Sequence, residues 1–178
     1  MGNAKFPPPV NLITGVIYAD IEVELAVKKH LVNIFGEIEL EADLPPFNHT
    51  KYYEEEIGGN LNRKFYSFRK LIQPDEIVEI KLRTNEIEKE YAITDGEVIK
   101  RRINLDPGYV DASKLVLATT KNYTHRVYLR DGIYAEVTLK FHKKSFRPWD
   151  WTYPDYRTDD YIAFFNEVRR VYREKLLL

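Results

Sequence analysis

The sequence predicts an α+β fold: a ferredoxin-like β-α-β-β-α-β core on an antiparallel sheet, extended by a C-terminal β-hairpin and a final helix. Three observations carry this expectation. Short β-rich apolar runs alternate with segments of helical period in that order between residues 10 and 105. Both long helical segments have start signals, Asp20 for the first and Pro74-Asp75-Glu76 for the second. Asp131-Gly132 sits between two alternating runs, a strong hairpin turn signal.

Taken in order, Val10–Tyr18 reads as a buried strand that follows a proline brake. Asp20 caps a helix to about Phe35, which Gly36 ends, with Val23, Val27, Leu31 and Ile34 on one face. Glu37–Leu44 alternates charged and apolar residues, as a half-buried strand does, and Pro45-Pro46 stop it. Residues 47–60 form a long polar and aromatic loop, and a loop of that length is either functional or mobile. Arg63–Ile72 is the next strand. The helix after Pro74 carries the stripe Ile77, Ile80, Thr84, Ile87 and Tyr91, and Ile99–Leu105 closes the core as a strand. The pattern places both helices on one sheet face. Beyond it, Asp111 caps a short helix through Ala118, and Tyr123–Arg130 pairs with Ile133–Phe141. A helix from about Thr158 presents Tyr161, Phe164, Phe165, Val168, Val171, Tyr172 and Leu176. The whole chain is expected to be one domain, with 10–105 as core and 106–178 as extension.

Composition narrows the function classes. A chain of 178 residues with 44% hydrophobic and 31% charged residues has the balance of a globular domain with its own core. The formal net charge of -1 gives no bulk nucleic-acid footprint. The absence of cysteine excludes disulfides, thiolate metal sites and cysteine nucleophiles. Residues 1–9 lack an apolar signal core, and no run approaches the ~20 apolar residues of a membrane span, so the expected location is the cytoplasm. One Met, one Gln and abundant Lys, Glu, Ile and Tyr match the composition of proteins from hot environments.

The stretches YYEEEIG (52–58), NLDPGY (104–109), KLVLATTKNYTHRVYL (114–129), GIYAEVTL (132–139) and PWDWTYPDY (148–156) resemble an uncharacterised prokaryotic domain family of unknown function. The likeness covers essentially the whole chain. Some members of that family carry the label GTP-binding protein, so the resemblance implies a nucleotide. The residues themselves hold no G-x-x-x-x-G-K-[ST] phosphate loop and no Asn-Lys-x-Asp guanine reader, and Gly58-Gly59 lead only into Asn60-Leu61. P-loop chemistry is therefore not expected, and magnesium-GTP is not expected to rest on those glycines.

The polar residues that could carry chemistry cluster over 104–136. Asp106, at an expected strand end before Pro107-Gly108, is either a turn residue or a carboxylate presented as base or metal ligand. If Asp131-Gly132 is a two-residue turn, Arg130 pairs with Ile133, His125 lies opposite Thr138, and Glu136 is its diagonal neighbour. An imidazole beside a carboxylate makes an acid–base pair, a metal half-site or a structural contact. Asp106, His125 and Glu136 are thus the candidate catalytic residues. Lys121, Arg126, Tyr109 and Lys114 are candidate ligands for an anion. No local metal spacing occurs, so a metal would need separated ligands such as His49, Asp106, His125 and Glu136. Trp149, Trp151, Tyr153 and Tyr156 either staple the last helix or stack on bases. The primary functional reading is a protein that binds a small anionic ligand or nucleotide at a polar pocket, with or without turnover. The alternative is a non-catalytic RNA-binding or protein-interaction module. No cofactor is legible.

Overall fold

The computed structural model describes residues 2–47, 54–96 and 98–177. Strand β1 (Val10–Tyr18) is buried at every position. Asp20 accepts the Glu22 N–H at 2.9 Å and caps α1 (Ile21–Phe35), and Gly36 at φ 94 ends it. Strand β2 (Ile38–Leu44), the short α2 (Glu54–Ile57) and strand β3 (Asn62–Ile72) follow. A 3₁₀ turn at Pro74–Glu76, with Gln73 and Glu76 in a capping box, feeds α3 (Ile77–Glu90). A small hairpin pairs β4 (Ile93–Asp95) with β5 (Val98–Lys100). Then come β6 (Ile103–Val110), β7 (Lys114–Thr119), β8 (Val127–Arg130), β9 (Ile133–His142), β10 (Ser145–Pro148) and α4 (Asp159–Lys175). No helix among the described residues is long and apolar enough to cross a membrane.

The fold is α+β. The strands form an antiparallel sheet in the order β10-β9-β7-β6-β1-β3-β2, with β8 also paired to β9. Even-numbered β1 residues Leu12 and Val16 pack with Val23, Val27 and Leu31 of α1 and Ile77, Ile80 and Ile87 of α3. The opposite face carries Ile13 and Phe65 against Tyr161, Phe164, Phe165 and Val168 of α4. Phe65 meets four aromatic rings there, with centroids 4.9–5.7 Å away. Helices on a single sheet face are therefore corrected: the final helix has its own apolar stripe and covers the second face. Ile34 is also corrected, since it is 39% exposed and lies off the buried stripe of α1.

Three expected elements differ. The strand expected over 99–105 is two strands, because Gly96 at φ 63 turns β4 into β5 before β6 begins. The short helix expected over 111–118 is β7. Asp111 does accept the N–H groups of Ser113 and Lys114, at 2.6 and 2.8 Å, but in a turn joining two strands, and Leu115-Val116-Leu117 fill the sheet. NLDPGY is not a turn, since β6 runs through Asp106-Pro107-Gly108 paired with Gly15-Thr14-Ile13. Within the loop expected over 47–60, residues 48–53 lie outside the described residues, and with them His49.

The course of β6 explains how a strand holds a proline. β7 pairs with β6 only at Gly108–Leu117, Tyr109–Val116 and Val110–Leu115. Before Gly108 the two strands part. Pro107 sits just past the end of that ladder, where a residue without an N–H leaves no gap. Gly108 is needed at the parting point, because a Cβ there would lie 2.3 Å from the Val116 carbonyl oxygen.

Candidate functional site

A cavity of about 550 Å³ fills the split between β6 and β7. Asn104 and Asp106 line it from β6, Leu117 to Thr119 from β7, and Lys81, Asn85 and Glu88 from α3. Tyr153 to Tyr156 and Phe47 close it from the other sheet face, and Thr120, Lys121, Tyr123 and Arg126 form one end.

The split leaves part of β6 without a neighbouring strand, and α3 compensates. Lys81 Nζ donates to the Leu105 carbonyl at 2.8 Å, and Glu88 Oε1 accepts the Leu105 N–H at 2.6 Å. Both backbone groups would otherwise be buried without partners. Lys81 and Glu88 are seven positions apart, so both fall on the helix face toward β6. Glu88 Oε2 accepts from Arg101 at 3.1 Å, and Arg101 also reaches Glu56 and Asn104 Oδ1. Burial pushes the Glu88 carboxyl above the usual range despite Lys81 and Arg101.

Arg63 is the centre of the floor. Its side chain is 1% exposed, and it donates to Asp106 Oδ2 at 3.2 Å and to the Tyr156 hydroxyl at 2.8 Å. Its guanidinium carbon lies 4.8 Å from the Phe65 ring centre and 5.6 Å from that of Tyr156. Gly15 makes this burial possible, because a Cβ there would lie 2.7 Å from Arg63 Nη2. Burial works against the guanidinium charge, but Tyr156 and Asp106 raise its pKa overall. Burial would raise Asp106, yet Arg63 and then Lys81 hold its carboxyl below the usual range. Burial pushes the Tyr161 hydroxyl up to about 12. Two donors of this floor, Arg63 Nε and Asn104 Nδ2, are buried without a hydrogen-bond partner among the described residues.

The expected trio is partly gathered. Asp106 and Glu136 both line the cavity, as do Lys121 and Arg126. His125 does not line it. Its Nε2 lies 3.2 Å from Glu136 Oε2, and its ring stacks on Trp151 at 5.8 Å. Glu136 is 3% exposed and also binds Arg126 Nε at 2.7 Å and the Thr138 hydroxyl at 3.1 Å. The turn is as expected, with Arg130 opposite Ile133 and positive φ at Asp131 and Gly132. A bulge between Tyr128 and Arg130 then shifts the register, so Val127 faces Ala135 and His125 does not stand opposite Thr138. Strand β8 accordingly starts at Val127 rather than Tyr123. Tyr109 and Lys114 lie elsewhere: Tyr109 packs on the helix-pair face, and Lys114 is bound to Asp111 at 2.6 Å.

Sequence reasoning missed Arg63, Lys81, Glu88, Arg101, Asn104 and Asp155. One signal was present: a lone glycine inside a buried strand, Gly15, marks the close approach of something large. Another was the row Lys81, Asn85 and Glu88, a polar edge beside the apolar stripe of α3.

The aromatic segment divides. Tyr156 is buried in the floor. Trp149 and Trp151 stack on each other at 5.0 Å, Trp151 also stacks on His125, and Lys140 Nζ lies 3.8 Å from the Trp149 ring centre. Their ring faces are thus engaged within the protein. Among the described residues no group of three or more His, Asp or Glu side chains is placed to hold a metal.

A family model described as a domain of unknown function (DUF4416) matches residues 8–172. No curated protein and no solved structure matches the chain.

Proposed function

The chain belongs to the DUF4416 family of unknown function, and from the geometry of its own cavity we propose that it binds a small anionic ligand, or the anionic end of a nucleotide, in the split between β6 and β7. The observation that carries this reading is the spare donor capacity at the floor. Lys81 Nζ has the Leu105 carbonyl as its hydrogen-bond acceptor, and Asn104 Nδ2 and Arg63 Nε have none among the described residues. Buried donors without acceptors are costly, and an anion entering the cavity relieves that cost. Lys81, a cation of the lining, forms no ion pair among the described residues, which also favours an anion.

The same geometry favours binding over proton transfer. Asp106 is held ionised and is engaged by Arg63, so it is a weak base and a good acceptor for a ligand hydroxyl or amine. His125 acts on the site through Glu136, as a positioning residue. The fold reading goes with this: residues 10–110 form a ferredoxin-like core whose first edge is extended by β7 to β10. The antiparallel order β6-β1-β3-β2, with α1 and α3 packed on one face of these strands, supports it.

Thermal-shift titration with phosphorylated and carboxylated metabolites tests the reading, since a ligand that prefers the folded state stabilises it by mass action. At least one anion should raise the melting temperature in a concentration-dependent way, and the double variant Lys81→Met/Asn104→Ala should abolish that shift. A neutral compound that stabilises while every anion fails would overturn it.

A further inference from the structure

Resting on the cavity as an anion site, we infer that its ligand is a planar ring joined to a single anionic group, the ring lying on Tyr153 at the mouth. Tyr153 lines the cavity and is 46% exposed. Among the described residues it has no ring, cation or side-chain hydrogen-bond partner, unlike Trp149 and Trp151 in the same segment. A half-exposed tyrosine with open faces beside a cavity is a stacking platform. Tyr123, 49% exposed, lines the same cavity, with one face under the Arg126 guanidinium at 4.5 Å. The mouth is therefore aromatic where the floor is ionic.

The charge balance limits the other end of the ligand. Three carboxylates of the lining are matched by arginines: Asp106 by Arg63, Glu88 by Arg101 and Glu136 by Arg126. Of the remaining lining cations, Lys81 forms no ion pair among the described residues, and its Nζ donates to the Leu105 carbonyl. A single cation without an ion pair suits one carboxylate or one phosphate group and opposes a polyphosphate.

The test uses matched probes: phenyl phosphate against inorganic phosphate, and benzoate against acetate, each titrated calorimetrically into the full chain. In at least one pair the ring-bearing probe should bind about 10-fold more tightly or better, as expected for one aromatic stacking contact. The responding pair identifies the anion. Tyr153→Ala should shrink that ratio to about 3-fold or less, while Lys121→Ala weakens both members of the pair alike. Near-ultraviolet circular dichroism verifies that both surface variants stay folded. Equal binding of ringed and ringless probes, or a ratio unchanged in Tyr153→Ala, would overturn the ring inference and leave the anion site standing. Tripolyphosphate binding more tightly than phosphate would overturn the single-anion limit. No binding by any probe at millimolar concentration would overturn the anion site as well.

Discussion

Arg63 and Asp106 show what the site asks of individual residues. A fully buried guanidinium needs a counter-charge, and Asp106 supplies it at 3.2 Å while facing the cavity with 29% of its side chain exposed. Asp106→Asn should cost about 2–3 kcal/mol, at or below the bottom of the range of roughly 3–5 kcal/mol for breaking a buried pair, because Arg63 keeps Tyr156 and its ring contacts. The sign with pH follows from the depressed carboxyl. In the unfolded chain Asp106 titrates near about 4, and in the folded chain lower. Its contribution is complete above the unfolded value and is lost as pH falls through the folded one. Urea unfolding of both proteins from pH 7 down to pH 2 should show the gap between them closing only on the acid side. A gap that stays constant over this range would mean that the carboxylate is not what holds Arg63. Of these two residues only Asp106 was legible as a candidate. Arg63 looked like one strand cation among many, since burial of an arginine depends on what a distant strand leaves empty.

At the level of elements, β1 and β6 are shaped by glycines and a proline that the apolar pattern does not explain. Gly15→Ala would place a methyl 2.7 Å from Arg63 Nη2 and 2.8 Å from the Phe65 ring, both packed and unable to yield freely. It should destabilise by about 1–3 kcal/mol, the usual cost of overpacking. Gly59→Ala, with no atom within 4 Å of the new methyl, should stay within about 0.5 kcal/mol of the parent. Guanidinium melts of the two variants provide the comparison, and equal losses would show that Gly15 is not a packing position. Element type was mostly legible: β1 and α1 match their expected spans, and the Asp131-Gly132 turn has its expected geometry. The failures share one cause. Asp111, Asp106-Pro107-Gly108 and Gly96 are all turn-forming residues, and local chemistry alone cannot say whether a turn joins strands, starts a helix or gives way to a strand ladder. The bulge after Tyr128 is likewise a tertiary outcome, and it replaces a His125–Thr138 pairing with an Arg126–Glu136 contact.

Across the whole molecule, protection should grade outward from β1. That strand is flanked by β3 and β6, covered by α1 and α3 on one face and α4 on the other, and buried throughout. β8 lies at the far edge and is exposed at all four positions. Native-state hydrogen exchange should therefore report its slowest amides in β1, near the global unfolding free energy, with those of β8 opening locally and orders of magnitude faster. Comparable rates in the two strands would show that the molecule opens only as a unit. The site's location was beyond the sequence for the same architectural reason. A cavity made by two strands parting becomes visible only when their pairing is known, and nothing in Leu117-Ala118-Thr119 announces that those residues leave β6 behind.

The three residue pairs that join β6 to β7 have a mechanical consequence. Between β1 and β6 a pulling force is shared by eight residue pairs, whereas between β6 and β7 it falls on three. The sheet thus has a seam, and tension applied between β2 and β9 concentrates there. Lys81 and Glu88 brace β6 but do not bridge to β7. A ligand seated in the cavity as proposed would touch both sides of the seam and stiffen the place where the sheet is most easily torn.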